Sequence, residues 1–309
     1  MAIVVSLAFV LVRSAPGDPF RLSLDDPAMS AAVRDRLRAQ FGYDRPLAVQ
    51  YLRWLGNVVR GNLGWSHSME RPVVEVLRDR IPNTMLLMAA GLGAGVLAGI
   101  ALGTWQGTRA GSLAERLTGG AALALLSVPE FLLALAVVAL FGEWWRALPV
   151  DGMVDAALHD AMGAGSRAVD VLRHLLLPAG TLSLVVAAVV SRYQRASMIN
   201  VMPEDFVRTA RAKGVGELAV IVGHALRNSL GPVITVCGLL LPALVGGTVF
   251  VETVFAWPGM GRAMVDAVVG RDYPLVVGGV LMTSACVTVG SALADVLGAL
   301  ADPRVGRIR

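Results

Sequence analysis

Long apolar stretches constrain the fold of this sequence more than any other feature. An α-helix rises about 1.5 Å per residue, so about 20 residues cross a hydrocarbon layer about 30 Å thick. Five apolar stretches are long enough, at residues 84–107, 117–142, 175–194, 228–251 and 273–300. The chain of 309 residues is 55% hydrophobic and 16% charged, whereas a soluble domain carries about 25% charged residues. The sequence therefore predicts an all-α polytopic membrane protein.

A sixth apolar segment, at residues 1–12, is too short to cross the bilayer by itself. At about 1.5 Å per residue it would rise only about 18 Å. A signal peptide has a positively charged residue before its apolar run, and this segment has none. We interpret the segment as part of a first transmembrane helix that begins upstream of Met1, which gives six transmembrane helices.

Arginine supplies almost all of the positive charge, and its distribution predicts the orientation. Basic residues are concentrated after the second, fourth and sixth spans, most strongly between Arg192 and Arg227. Loops rich in basic residues stay cytoplasmic, which is known as the positive-inside rule. The rule applies to short loops, so the charges of residues 13–80 are not counted. We therefore predict that both termini are cytoplasmic and that residues 13–80 form an extracytoplasmic helical region. In so apolar a chain, basic charge indicates membrane orientation and not nucleic-acid binding.

Three amphipathic helices are expected in the region of residues 13–80. The first begins at Asp26-Pro27 and repeats apolar residues at every fourth position, and two shorter helices follow at residues 47–59 and 73–81. The region pairs no acid, base and nucleophile in a way that would indicate catalysis. Four scattered histidines and two cysteines within apolar runs likewise indicate no metal site.

The segment between the fourth and fifth spans carries the strongest local pattern. A proline and two acidic residues begin a short helix and basic residues end it, as the helix dipole favours. Two glycines then separate it from a second amphipathic helix at residues 217–228. These residues are Pro203, Glu204, Asp205, Arg211, Lys213, Gly214 and Gly216. We predict a short exposed helix that a cytoplasmic partner could push.

This segment closely resembles the coupling loop of permease subunits of dipeptide and oligopeptide ABC importers. The resemblance rests on Glu204-Asp-Phe-Val-Arg-Thr-Ala-Arg-Ala-Lys-Gly214 and on His224-Ala-Leu-Arg-Asn228 after it. The general importer signature has Glu-Ala-Ala where this chain has Arg208-Thr-Ala210, a variant that the peptide branch tolerates. The resemblance extends over nearly the whole chain. Further similar motifs, in order, are Ala15-Pro-Gly-Asp-Pro19, Gly61-Asn-Leu-Gly64 with Ser66, Ile81-Pro-Asn-Thr84, Leu177-Pro178, Gly246-Gly247, Val251-Glu-Thr-Val-Phe255, Trp257-Pro-Gly-Met-Gly261, Arg271-Asp-Tyr-Pro274 and Asp302-Pro-Arg304.

The resemblance implies the fold of a type I ABC importer permease in a bacterial-type inner membrane. Residues 81–302 would form the transmembrane domain, residues 195–227 its cytoplasmic coupling loop and residues 303–309 a cytoplasmic tail. A short helix of that loop would contact an ATPase subunit, with ionic contacts from Arg208, Arg211 and Lys213 and an apolar anchor from Phe206 and Val207. The whole implied contact set is Glu204, Asp205, Phe206, Val207, Arg208, Thr209, Ala210, Arg211, Lys213 and Gly214.

Partners and cargo also follow from the resemblance. A second homologous permease subunit, two ATPase subunits, an extracytoplasmic substrate-binding protein and membrane lipid are implied, with dipeptides or oligopeptides as cargo. A nickel complex, glutathione or a sugar is the alternative cargo. The chain itself has no nucleotide-binding P-loop, because its single lysine, Lys213, precedes Gly214 and follows Ala212. We therefore expect a non-catalytic subunit without cofactor, with ATP and Mg bound by the partner ATPases.

Three ionisable residues in the spans or at their ends are further candidates, because burying such groups is costly. Glu130 follows Pro129 in the third span and could line the translocation pathway. We interpret Glu252, at the outer end of the fifth span, and Asp295, toward the inner end of the sixth, as interfacial residues or as residues packed against an arginine. An ion-coupled secondary transporter is an alternative function, but no internal repeat is evident. A membrane-embedded enzyme is a further alternative, and it would need paired catalytic groups that the spans do not contain.

Overall fold

The computed structural model of the protein describes residues 2–14, 46–146 and 148–301. These residues are almost entirely helical, apart from a two-stranded antiparallel hairpin of β1 (Trp65–Ser66) and β2 (Arg71–Pro72). The predicted helix at Asp26 and the motifs at residues 15–19 and 302–304 lie outside the described residues.

Twelve α-helical segments follow one another within the described residues. They are α1 (Ala2–Ser14), α2 (Leu47–Val59), α3 (Val73–Thr108), α4 (Leu113–Ser127), α5 (Glu130–Val138), α6 (Ala164–Val201), α7 (Asp205–Ala212), α8 (Glu217–Ala219), α9 (Arg227–Ser229), α10 (Gly231–Val254), α11 (Met260–Val269) and α12 (Tyr273–Ala301). A π-helical segment, Ala139–Trp144, continues α5, and another, Val220–Leu226, joins α8 to α9.

Three of the described helices are long and apolar enough to cross a membrane, namely α3, α6 and the first part of α12. Two bent pairs can each form one further span: α4 with α5 and its continuation, bent by 103°, and residues 217–229 with 231–241, bent by 54°. Up to five spans therefore lie in the described residues, besides the 13-residue helix α1. The predicted all-α polytopic class is confirmed.

Glycines at every fourth position of α3 bring it close to α6. Residues four apart lie on one helix face, and glycine allows close approach of two membrane helices. A Cβ atom at Gly95 would stand 2.6 Å from the Cβ atom of Val186, and one at Gly99 would stand 2.6 Å from that of Val190. The contacts advance in the same direction along both helices, so α3 and α6 are parallel. Gly93 faces open space within the described residues.

Two of the long helices extend beyond the stretches predicted to span the membrane. The predicted separate helix at residues 73–81 is the beginning of α3, and α6 begins well before Pro178. Pro82 and Pro178 both lie inside helices. Each proline removes only one backbone donor, and the packed residues before and after it in the chain maintain the helix. The 36 residues of α3 rise about 54 Å, more than the thickness of a hydrocarbon core.

The two faces of the molecule are defined by the ends of these helices. We call the face at which α3, α6 and α12 begin the outer face and the opposite face, beside α7, the inner face. At the outer face, Val73, Val76 and Leu77 of α3 are buried against Met260 and Leu275 of α11 and α12. This contact fixes the part of α3 that extends beyond the apolar stretch.

Candidate functional site

The short helix α7 lies at the inner face, and Pro203, expected to begin it, lies just before it. It begins at Asp205 after an extended Glu204 and ends at Ala212. Gly214 then adopts a φ of +78°, a left-handed conformation that glycine reaches without strain. The chain therefore turns at Gly214 and enters the second helical arm, which begins at Glu217.

One side of α7 is fixed in the protein. Val207 is 0% exposed and Ala210 is 6% exposed, and both pack in a small core with Met198 of α6 and with Val220 and Ala225 of the π-helical segment. Val207 therefore cannot serve as an apolar anchor for a partner, which corrects that expectation. Ala210 is buried in the same way, so these two residues position α7.

The other side of α7 is open. Phe206 is 40% exposed, and the Arg208 side chain is 69% exposed, with its guanidinium 3.4 Å from the Asp205 carboxylate. Glu204, Thr209 and Lys213 are also exposed. Aromatic and arginine side chains are among the residue types in which protein interfaces are enriched. The structure thus brings most of the predicted contact set to one accessible surface.

Arg211 connects the two arms of the turn. Its Nη2 lies 2.6 Å from Oε1 of Glu217, and its Nε donates to Oε2 at 3.0 Å. This two-pronged hydrogen bond lowers the pKa of the Glu217 carboxyl, so the pair stays charged at neutral pH. Arg211, expected to face a partner, is instead engaged within the chain.

A polar network lies beneath α7 among the inner ends of the spans. Gln194 of α6 is buried and donates to Ser229 of α9 at 2.7 Å and to Thr104 of α3 at 3.2 Å. Beside it, Arg195 lies 2.6 Å from the buried carboxylate of Glu115 in α4. These bonds join α3, α4, α6 and α9, and α7 is connected to them through its contact with Met198 of α6. These contacts were not predicted from the sequence.

A second network at the outer face centres on Glu252, which is 0% exposed. Its carboxylate accepts from Thr84 Oγ1 at 2.7 Å, from the backbone of Arg262 at 3.0 Å and from the backbone of Gly261. Thr84 in turn accepts from the backbone of Met260 at 2.8 Å. We call these five residues the outer polar cluster. Glu252 thus caps the first turn of α11, and the charge of Arg80 also acts favourably on its carboxylate.

The outer polar cluster unites three motifs that are far apart in the sequence. Thr84 belongs to the motif at residues 81–84, Glu252 to that at 251–255 and Gly261 to that at 257–261. Next to the cluster, Trp257 donates from its ring to the carbonyl of Asn83 at 3.0 Å, and Asn83 donates to the carbonyl of Pro258 at 2.9 Å. The motifs therefore act together, as the joint of α3, α10 and α11.

A third polar contact binds the hairpin to the start of α12. The buried carboxylate of Asp272 accepts from Ser66 Oγ at 2.5 Å and from the backbone and hydroxyl of Ser68 at 3.0 and 2.7 Å. It also accepts from the backbone of Leu275 at 3.2 Å and so caps α12. The motifs at residues 61–66 and 271–274 meet here.

Glu130 is the first residue of α5 and lies at the break of the third span. Val128 is extended, as expected before a proline, and α4 ends there. The Glu130 side chain is half-buried and points towards α10, where a Cβ atom at Gly247 would stand 2.6 Å from Oε2. Glu130 is thus remote from α7 and belongs to a separate site.

Comparison with known proteins reveals similarity over the whole length. The family profile described as the binding-protein-dependent transport system inner membrane component matches residues 91–307, and the profile of the corresponding N-terminal membrane component matches residues 1–88. A provisionally named peptide permease protein of Brucella ovis is 43% identical over 303 residues, which are 97% of this chain and 92% of that protein.

Two further relatives have similar coverage. The oligopeptide transport system permease protein AppB of Bacillus subtilis is 36% identical over 97% of this chain and 93% of its own length. The dipeptide transport system permease protein DppB of Escherichia coli strain K12 is 33% identical, again over 97% of this chain and 93% of its own length.

Proposed function

The chain belongs to the family of binding-protein-dependent transport system inner membrane components, and from this membership we propose that it is a permease subunit of an ATP-driven peptide importer. The names of relatives that match almost the whole chain support dipeptides or oligopeptides as the cargo. A second homologous permease would complete the translocation pathway, and an extracytoplasmic binding protein would deliver the peptide.

Two separate ATPase subunits would bind ATP and Mg and drive the cycle. The observation that carries this coupling is α7, a short helix with one face fixed by Val207 and Ala210 and an exposed face that includes Phe206 and Arg208. Force on the exposed face would reach α6 through the small core around Met198. The permease itself would catalyse no reaction and hold no cofactor. The inner face would be cytoplasmic, together with both termini.

Affinity purification from membranes and reconstitution test this function. We expect a tagged copy of the chain to recover a second permease and two ATPase chains. Proteoliposomes with that complex should accumulate peptide only when ATP is on the ATPase side and the binding protein is on the other side. Recovery of the chain alone, with uptake that needs an ion gradient and no ATP, would contradict the proposal.

The binding protein gives the test of cargo. Its affinity should be measured for a peptide panel and, as matched competitors, for glutathione, a nickel complex and a sugar. We expect peptides to bind and to stimulate ATP hydrolysis by the reconstituted complex. If one of the competitors stimulates ATP hydrolysis and no peptide does, the chain is still an importer permease but its cargo is that competitor.

A further inference from the structure

The carboxylate of Glu130 lies at the break of the third span and has no partner among the described residues. Within the described part of the chain, no hydrogen-bond donor and no cation reaches it. An ionised carboxylate in apolar surroundings is costly unless it is paired, and such groups in spans mark functional sites. By contrast, Glu252 and Glu115, the other buried glutamates described here, both have partners. Glu130 is the first residue of α5, where the positive end of the helix favours its carboxylate, and its half-buried side chain leaves the carboxylate accessible to a further ligand.

The break in the third span makes the surroundings of Glu130 favourable to a cation. α4 ends at Ser127, and its axis and that of the following helix differ by 103°. Pro129 has no backbone N–H, and the carbonyl of Leu125 accepts from the backbone of Val128 at 3.2 Å instead. As at any helix end, the last carbonyl groups of α4 have no helical donor. The C-terminal end of a helix carries partial negative charge. Interrupted membrane helices use such ends to coordinate cations.

The side of α10 that faces Glu130 leaves room for the carboxylate. A Cβ atom at Gly247 would stand 2.6 Å from Oε2 and 3.1 Å from Oε1, whereas one at Gly246 would meet no described atom within 4 Å. The same two helices also meet through an aromatic pair, Phe131 of α5 and Phe250 of α10, whose centroids are 6.4 Å apart. Aromatic faces attract organic ammonium groups. The contact between α5 and α10 thus includes a carboxylate close to a negative helix end and a pair of aromatic rings.

We propose that Glu130 binds the amino-terminal ammonium group of a peptide during its passage through the permease. The inference rests on the proposed function, because it takes the peptide as cargo. Every unmodified peptide carries this group whatever its side chains, so a single carboxylate recognises the whole class. The charge-assisted hydrogen bond would replace water that the ammonium loses on leaving the aqueous phase. Glu130 is then a cargo-binding residue of the pathway.

A series of substitutions separates this role from packing. The complete importer should be reconstituted with Glu130, with Glu130→Asp or with Glu130→Gln, and the initial rate of uptake of an unmodified peptide measured at equal abundance. We expect Glu130→Asp to retain most of the rate and Glu130→Gln to lose at least about tenfold. A packing role predicts the opposite order, because glutamine keeps the shape and aspartate does not. The exposed Glu75→Gln is the matched control and should transport like the original chain.

The remaining outcomes identify other sources of the cation. If Glu130→Gln loses the second permease on purification, the cation comes from that subunit and the proposal is overturned. If replacing Na⁺ by K⁺ lowers the unsubstituted importer to the rate of Glu130→Gln, the cation is Na⁺ and the proposal is again overturned. A Glu130→Gln rate within about twofold of the original would overturn this inference alone. If the unsubstituted importer accumulates no peptide, the proposed function itself fails.

Discussion

Gly214 determines the geometry of the turn between α7 and the second helical arm. Its φ of +78° is strained for any side chain, while a Cβ atom there would meet no described atom within 4 Å. We expect Gly214→Val to raise the ATP consumed per peptide transported, because the left-handed conformation costs about 1–2 kcal/mol for an L-residue and more for a branched one. Gly214→Asn should have a smaller effect, because asparagine adopts this conformation more easily.

Gly216 is the matched control for the Gly214 variants. It has a φ of −59° and open space around it, so Gly216→Ala should leave coupling unchanged. The measurement is the ratio of ATP hydrolysis to peptide uptake in proteoliposomes. Equal ratios for Gly214→Val and Gly216→Ala would show that the turn plays no part in coupling.

Phe206 and Val207 are neighbours in the sequence with opposite surroundings, and this contrast gives a second prediction. Phe206→Ala should weaken retention of the ATPase subunits on a permease affinity column and leave the thermal stability of the isolated permease unchanged. Val207→Ala should instead destabilise the inner core by about 1–2 kcal/mol, since it removes two buried carbon groups. Thermal unfolding in detergent, measured beside the column assay, checks both. If both variants retain the ATPase subunits, the interface lies elsewhere on the permease.

At the scale of helices, α3 and α6 share the most extensive contact among the helices that the structure describes. Gly99→Ala would place a methyl group 2.6 Å from the Cβ atom of Val190, so the two helices would have to separate. We expect lower thermal stability and lower uptake. Gly93→Ala, six residues away on an open side, should be neutral or stabilising by up to about 1 kcal/mol through helix propensity. Similar stabilities of the two variants would contradict the packing argument.

Glu252 joins three helices, and its loss should affect all of them. In Glu252→Ala the acceptor for the Thr84 hydroxyl and for the backbone N–H groups of Gly261 and Arg262 is removed, so these buried donors lose their partner. We expect a loss of about 2 kcal/mol or more in stability. Hydrogen exchange should increase at the start of α11 and around Thr84, whereas Glu75→Gln on the surface should change neither. Unchanged exchange at α11 would refute the capping role.

The helix α7 could be predicted from the sequence because its signals are local. Acidic residues at its start, basic residues at its end and a glycine after it all act within one or two turns. The outer polar cluster could not be predicted, since Thr84 and Glu252 are 168 positions apart. The sequence does not indicate which of the separate motifs contact one another, because the packing of the helices decides this. Likewise, hydropathy predicted a third span but not its bend of 103°, because apolar residues continue on both sides of Pro129.

At the scale of the whole molecule, α6 relates the two faces. It crosses the membrane once, so the loop before it and α7 after it lie on opposite sides. Ala157 and Thr209 are exposed residues of these two segments, and both can be replaced by cysteine after Cys237 and Cys286 have been changed to serine. This pair of positions therefore tests the orientation that the arginine distribution predicts.

We expect a membrane-impermeant maleimide to label Ala157→Cys, but not Thr209→Cys, in cells whose inner membrane is accessible from outside. The distribution of arginines places α7 inside, and the membrane keeps the reagent from it. Inside-out vesicles should give the reverse result, with the purified ATPase subunits protecting Thr209→Cys from the reagent. Labelling of Thr209→Cys from outside would show that the orientation is the reverse of the predicted one. The helix α7 would then lie on the side of the membrane away from any cytoplasmic ATPase. Labelling of both positions in intact cells would show that the spans between them do not form a closed barrier.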